Sequence, residues 1–168
     1  MKEISNNIVF LVGMMASGKT TVGKLLANRL SMEFVDMDEL IVNEEQMSIN
    51  EIFESKGEKY FRKIESEVLR SLSSRNNIII STGGGTPIYH GGLDYMLQQG
   101  TVVWLKVAVN EIYQRLKKNK DRPLAKSISK HQLTSLIRAR NPIYSRANIR
   151  VWNKGDKNAV TDRIIKQL

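Results

Sequence analysis

Residues 13–20 read Gly-Met-Met-Ala-Ser-Gly-Lys-Thr, two glycines followed at once by a lysine and a hydroxyl. That spacing suits one chemical task. Small residues let the chain curl until backbone N–H groups point into an anion, and the next helix offers its positive N-terminus to the same charge. The pattern is that of the phosphate-binding loop, with Lys19 directed at β- and γ-phosphates and the Thr20 hydroxyl at Mg2+. The alternative is a flexible Gly/Ser turn. The apolar run before the loop and the helical spacing after it weigh against that.

Three further groups could do chemistry. Asp36 and Asp38 stand two apart after a second apolar segment. Carboxylates so placed can hold Mg2+ through water, accept a proton from an attacking hydroxyl, or bind a polyol; the plainer reading is that one caps the next helix. Gly83, Gly84 and Gly85 follow three isoleucines and discard every side chain in succession. Either the turn needs positive φ at several positions or a ligand approaches the backbone closely, and the ligand is favoured because a plain turn seldom needs three glycines. Arg62, Arg122 and Arg140 carry planar forks suited to carboxylate or phosphate, although any one taken alone reads as a solvated surface arginine. His90 and His131 are too isolated to ligate a metal. Trp104 reads as core, whereas Trp152 could pack near a nucleotide base.

The elements that must position these residues alternate. Ile8–Val12, Phe34–Val35, Asn77–Ser81, Thr101–Leu105 and Ile149–Val151 are short apolar runs read as strands. Between them, helical spacing covers Thr20–Leu30, a capping-box start at Ser48 and Glu51 leading into 58–72, then 110–117, 133–147 interrupted by Pro142, and 159–168. The polar, basic stretch 118–130 reads as a mobile surface loop. Strands alternating with helices imply an α/β fold with a parallel sheet of about five strands. The glycine loop, the aspartates and the glycine triplet each follow a strand, so they converge on one edge of the sheet.

Length and composition agree with one domain over 1–168, with a helical substrate-binding region near 37–72 and a lid near 118–130. The chain has 168 residues, 41% of them hydrophobic and 26% charged. Lys and Arg number 26 against 17 Asp and Glu, a net charge of +9 that favours anionic partners. The absence of cysteine excludes disulfides, thiolate chemistry and cysteine-bearing zinc sites. Neither an apolar leader at the N-terminus nor a membrane-length apolar run is present, so a cytoplasmic protein without a membrane partner is expected.

Taken together, LVGMMASGKTTVGKLLA, FVDMD, GEKYFRKIE, TGGG, DRPL and RNPIYSRA resemble the shikimate kinase family in order and spacing, from the phosphate loop to the C-terminal helix. Two departures are Ala16, where relatives often carry glycine, and LAKS after Arg122. The resemblance implies transfer of the ATP γ-phosphoryl group to the 3-hydroxyl of shikimate, in aromatic amino-acid biosynthesis, by a phosphate-loop kinase fold with a closing lid. It places Gly13, Ala16, Ser17, Gly18, Lys19, Thr20 and Thr21 on ATP, with Arg115 near the adenine and Arg122 brought onto the phosphates by the lid. The loop 152–158 would flank the adenine. Asp38 would bind substrate hydroxyls, Arg62 and Arg140 the carboxylate, and Gly83, Gly84 and Gly85 would offer it backbone N–H groups. Lys19, Asp36 and Arg122 form the expected catalytic set, and Thr20 and Asp36 (through water) the expected Mg2+ set. A monomer binding ATP and shikimate, without nucleic acid, is the expectation. The rivals are a gluconate-type or nucleoside monophosphate kinase, and a non-enzymatic nucleotide or nucleic-acid binder.

Overall fold

A computed structural model describes residues 7–118 and 128–168; the lid expected at 118–130 and Arg122 therefore fall largely outside the described residues. Five strands form one sheet: β1 (Ile8–Val12), β2 (Glu33–Asp36), β3 (Ile78–Ser81), β4 (Thr101–Lys106) and β5 (Ile149–Trp152). Their order is β2-β3-β1-β4-β5 and every pairing is parallel. Parallel strands require helical crossovers that cover both faces, which is why β1 and β3 are buried at every position rather than at alternate ones.

The helices are α1 (Lys19–Leu30), α2 (Met37–Glu45), α3 (Ile49–Leu72), α4 (Gly92–Gln99), α5 (Val109–Lys118), α6 (Lys130–Tyr144) and α7 (Lys157–Ile165). On one face of the sheet Val9, Leu11, Ile79 and Val103 pack with α1 and α7 through Val22, Leu26, Val160 and Ile164. On the other, Phe10, Val12, Ile80 and Trp104 meet Met37, Phe61, Ile112 and Tyr144 of α2, α3, α5 and α6. Each of these side chains, fully buried, stabilises the fold by about 1.5–3 kcal/mol relative to exposure.

Three details differ from the sequence reading. The region 37–72 holds two helices, because Asp36 caps α2 before Ser48 caps α3 with a complete capping box. Helix α4 is absent from the sequence reading; it is short, with Leu93 and Met96 buried and Tyr95 and Leu97 partly buried beside them. Pro142 does not interrupt α6, since it stands in the last turn, where a proline removes only one intrahelical hydrogen bond before the helix ends. Among the described residues no helix is long and apolar enough to cross a membrane.

Beyond the carboxyl end of β1 the chain runs into the glycine loop, and β3 and β4 flank it on opposite sides. That reversal of connection direction leaves a crevice at the strand ends, where open parallel sheets bind ligands. The core thus delivers the loop at 13–18, Asp36 and the triplet at 83–85 to one rim.

Candidate active site

The loop after β1 is braced from within. Ser17 N–H donates to the Met14 carbonyl at 3.1 Å. The Lys19 amine donates to the Gly13 and Met14 carbonyls, both at 2.9 Å, and to Ser17 Oγ at 3.4 Å. Helix α1 begins at Lys19 with neither a side-chain cap nor an acidic residue in its first turn, so its positive end faces the loop uncancelled. The Asn153 amide, fully buried, donates to the Ser17 carbonyl at 2.6 Å and accepts from Lys157 Nζ at 2.9 Å. Arg115 donates to the Ala16 carbonyl at 2.9 Å and pairs with Glu111. Burial, reinforced by the nearby Arg115 charge, lowers the Lys157 pKa below the ordinary lysine value. Such a concentration of cations on one rim repels itself and favours a polyanion.

Ala16 carries φ of 59°. In the left-handed region a Cβ costs roughly 1–2 kcal/mol. Ala16→Gly is therefore expected to stabilise the fold by about 0.5–1 kcal/mol after the added flexibility of the unfolded chain is subtracted. Urea denaturation checks this; an unchanged or lowered midpoint would show the loop strain-free.

Asp36 satisfies two readings at once. One carboxylate oxygen accepts the Asp38 N–H at 3.0 Å, capping α2, while the other accepts the Thr20 hydroxyl at 2.6 Å. Hydroxyl and carboxylate oxygens side by side are hard donors of the kind Mg2+ takes, and among the described residues no cluster of three or more acidic, histidine or cysteine side chains exists. A site with two protein oxygens fits Mg2+, which keeps most of its shell as water and phosphate.

The triplet at 83–85 does not need left-handed backbone. None of its glycines has positive φ. A Cβ on Gly83 would lie 2.4 Å from Glu65 Oε1, and one on Gly85 2.4 Å from Arg62 Nη1. The glycines make room for protein side chains first, and the ligand-facing surface is built from what they admit. Arg62 lies against them with its guanidinium bonded to Glu65 at 2.9 Å and to Glu58 at 3.2 Å. The rings of Phe53, Phe61 and Tyr89 stand 4.3–5.8 Å from it. Burial opposes its charge, yet the bonds to Glu65 and Glu58 outweigh burial and raise the Arg62 pKa. Glu65 is buried and also accepts the Thr86 hydroxyl at 2.6 Å. Across the triplet, Arg140 approaches the Met14 sulfur at 3.9 Å.

Two cavities result. The first, about 480 Å³, is lined by Ala16, Ser17, Gly18, Lys19, Thr20 and Thr21, and by Asp36, Arg115 and Lys157. The second, about 680 Å³, brings together Asp38, Arg62, Gly83, Gly84, Gly85 and Arg140 with Phe53, Phe61 and Glu65. Met15, Asp38 and Gly84 line both, so the cavities touch. Gly13 does not line the first; it is buried behind the loop and supplies a carbonyl to Lys19. Trp152 lines neither cavity: it is 54% exposed, with Lys106 over its ring at 4.6 Å. Asn153, Glu65, Tyr144 and Met15 carry the site without having been singled out as site residues. Glu65 left a signal in its position one turn from Arg62, and Asn153 falls within the loop 152–158 expected beside the adenine.

Fold and site define a phosphate-loop kinase with a cationic phosphate cradle opening onto a small-molecule cavity. The shikimate kinase family model matches residues 15–168, and the chain belongs to that family. It is 43% identical over 161 residues to the shikimate kinase of Sulfurihydrogenibium sp. (strain YO3AOP1), covering 95% of this chain and 96% of that one. Its structure matches shikimate kinase from Acinetobacter baumannii in complex with shikimate at a TM-score of 0.90 and 34% identity, over 96% and 92% of the two chains. A gluconokinase from Sinorhizobium meliloti shares the fold alone, with a TM-score of 0.62 at 12% identity.

Proposed function

We propose that the chain transfers the γ-phosphoryl group of ATP to the 3-hydroxyl of shikimate, giving shikimate 3-phosphate and ADP in the route to aromatic amino acids. The observation that carries this reading is the contact between the two cavities at Met15, Asp38 and Gly84. Phosphoryl transfer asks little of a protein beyond alignment and charge neutralisation, so adjoining sites of opposite duty suffice.

In this reading Lys19 exchanges the Gly13 and Met14 carbonyls for the β- and γ-phosphates. Backbone N–H groups of the loop and the N-terminus of α1 take the remaining phosphate oxygens. Thr20 and Asp36 would hold Mg2+, which supplies charge neutralisation on the phosphates when bound. Asp36, already engaged by Thr20 and the α2 N-terminus, arranges that group. Asp38, shared by both cavities, orients the substrate hydroxyls. Arg62 and Arg140 hold the carboxylate, with the triplet N–H groups beside them. Arg115 and Lys157 border the nucleotide, and Arg122 keeps the phosphate-closing role that the resemblance gives it. A cytoplasmic monomer acting on small molecules alone, without nucleic acid or membrane, completes the reading.

The test is ADP release measured in parallel with shikimate, gluconate and nucleoside monophosphates. Turnover with shikimate alone is expected; turnover with either of the others and none with shikimate overturns the reading. In the same assay Arg140→Ala should raise the shikimate KM about 100-fold and leave the ATP KM unchanged, because a charge-assisted carboxylate contact is removed from one cavity only. Equal changes in both constants would count against that contact.

A further inference from the structure

Tyr144 closes helix α6, one turn beyond Arg140. Its side chain is fully buried and its ring lies tilted against Trp104, centroids 5.8 Å apart. The hydroxyl donates to the Gly84 carbonyl at 2.5 Å and lies 3.8 Å from the sulfur of Met14, the same atom that Arg140 meets. A residue of the closing helix therefore reaches across to the middle of the glycine triplet and to the base of the phosphate loop.

The carbonyl it holds has a second end. The Gly84 C=O and the Gly85 N–H belong to one peptide unit, and no peptide bond in the described chain is cis. In a trans unit the two groups point in opposite directions, so pinning the oxygen aims the N–H. Between two glycines no Cβ resists rotation of that unit, so something else must fix it. Turn bonds from the Thr86 N–H to the Gly83 carbonyl at 3.2 Å and from the Ile88 N–H to the Gly85 carbonyl at 2.8 Å hold the backbone on either side, but neither can grip a group of this unit itself. The Tyr144 hydroxyl can. Among the described residues no acceptor takes the Gly85 N–H, and Gly85 lines the cavity that holds Arg62 and Arg140. Burial pushes the Tyr144 pKa up to about 12, so the hydroxyl remains a donor throughout the working pH range.

We propose that Tyr144 is a positioning residue for substrate recognition: by holding the Gly84 carbonyl it aims the Gly85 N–H at the substrate carboxylate, beside the two arginines. This rests on the acid-substrate reading given above. Tyr144 itself touches no substrate. It fixes the orientation of the one peptide unit that the flanking turn bonds leave unheld, and ties that donor to the helix bearing Arg140.

The experiment compares wild type and Tyr144→Phe on shikimate and on its carboxamide, in the full chain. Phenylalanine keeps the ring against Trp104 and removes only the hydroxyl. The shikimate KM is expected to rise about tenfold, the scale of one lost hydrogen bond to a charged group, with kcat and the ATP KM within about twofold. The preference for shikimate over the uncharged amide should narrow by the same factor, because the amide gains less from an aimed N–H. Equal losses on both substrates, or a parallel rise in the ATP KM, would reduce Tyr144 to packing and overturn the proposal. A second reading needs no variant: in the wild-type chain the Gly85 amide proton should move downfield on saturation with shikimate, and an unmoved resonance overturns the proposal. Wild-type failure to phosphorylate shikimate, in contrast, removes the functional reading itself, so the two failures are told apart.

Discussion

Lys19→Met is expected to lower kcat about a thousandfold at saturating ATP and shikimate while the chain stays folded. Methionine preserves the length and much of the apolar stem of lysine, so the buried position remains filled. What is lost is a positive charge at the bend of the loop. That charge is held by the Gly13 and Met14 carbonyls at 2.9 Å. Neutral carbonyls are weaker partners for an ammonium than phosphate oxygens are, so the amine is stored where a polyanion can draw it away. In the transfer step negative charge spreads over the γ-phosphoryl oxygens, and removing one preorganised donor to such charge costs about 10²–10³ in rate. The stability cost is small by comparison, about 1–2 kcal/mol for the two carbonyl contacts. ADP release and thermal unfolding separate these. Undiminished kcat would remove Lys19 from the reaction, and collapse of the fold would make its role structural.

The legibility of this loop in the sequence follows from backbone geometry. A phosphate cradle needs small residues at fixed intervals, and no side-chain partner elsewhere has to be known to see it. Strands β1, β3 and β4 were equally plain, since burial on both faces gives each a run of at least three consecutive apolar residues. The acid cavity was legible only through family resemblance. The isolated sequence shows Arg62, Arg140 and three glycines but not that the glycines exist to admit Arg62 and Glu65. That fact depends on α3 crossing the end of β3, a contact between residues some 20 positions apart. Tyr144 and Asn153 were hidden for the same reason. Each serves a backbone carbonyl, Gly84 or Ser17, far away in the chain, and a carbonyl leaves no mark in residue type. Asp36 was legible in both its roles, and the structure shows that a carboxylate with two oxygens need not choose between them.

Arg62→Ala should lose about 3–5 kcal/mol of stability, more than any other single change at the site, because it strands a buried charge. The Glu65 side chain is 3% exposed and that of Arg62 12%. With the guanidinium gone, Glu65 keeps only the Thr86 hydroxyl, far too little to offset the desolvation of a carboxylate. Arg62→Ala combined with Glu65→Gln should recover most of that stability, since a neutral amide costs less to bury. The double variant should nevertheless show a shikimate KM raised about 100-fold, which separates recognition from folding. Urea denaturation of the single and double variants checks the first claim and steady-state kinetics the second. A single variant within about 1 kcal/mol of wild type would mean that Arg62 is not what holds Glu65 in its buried place. The geometry also says which partner of Arg62 gives way to a substrate. Nη1 serves buried Glu65, whereas Nε and Nη2 serve Glu58, whose side chain is 54% exposed. A solvated carboxylate surrenders an ion pair at little cost, a buried one does not. In the proposed reading an incoming carboxylate would therefore displace Glu58 and leave Glu65 in place, the arginine staying anchored through Nη1 while Nε and Nη2 change partner.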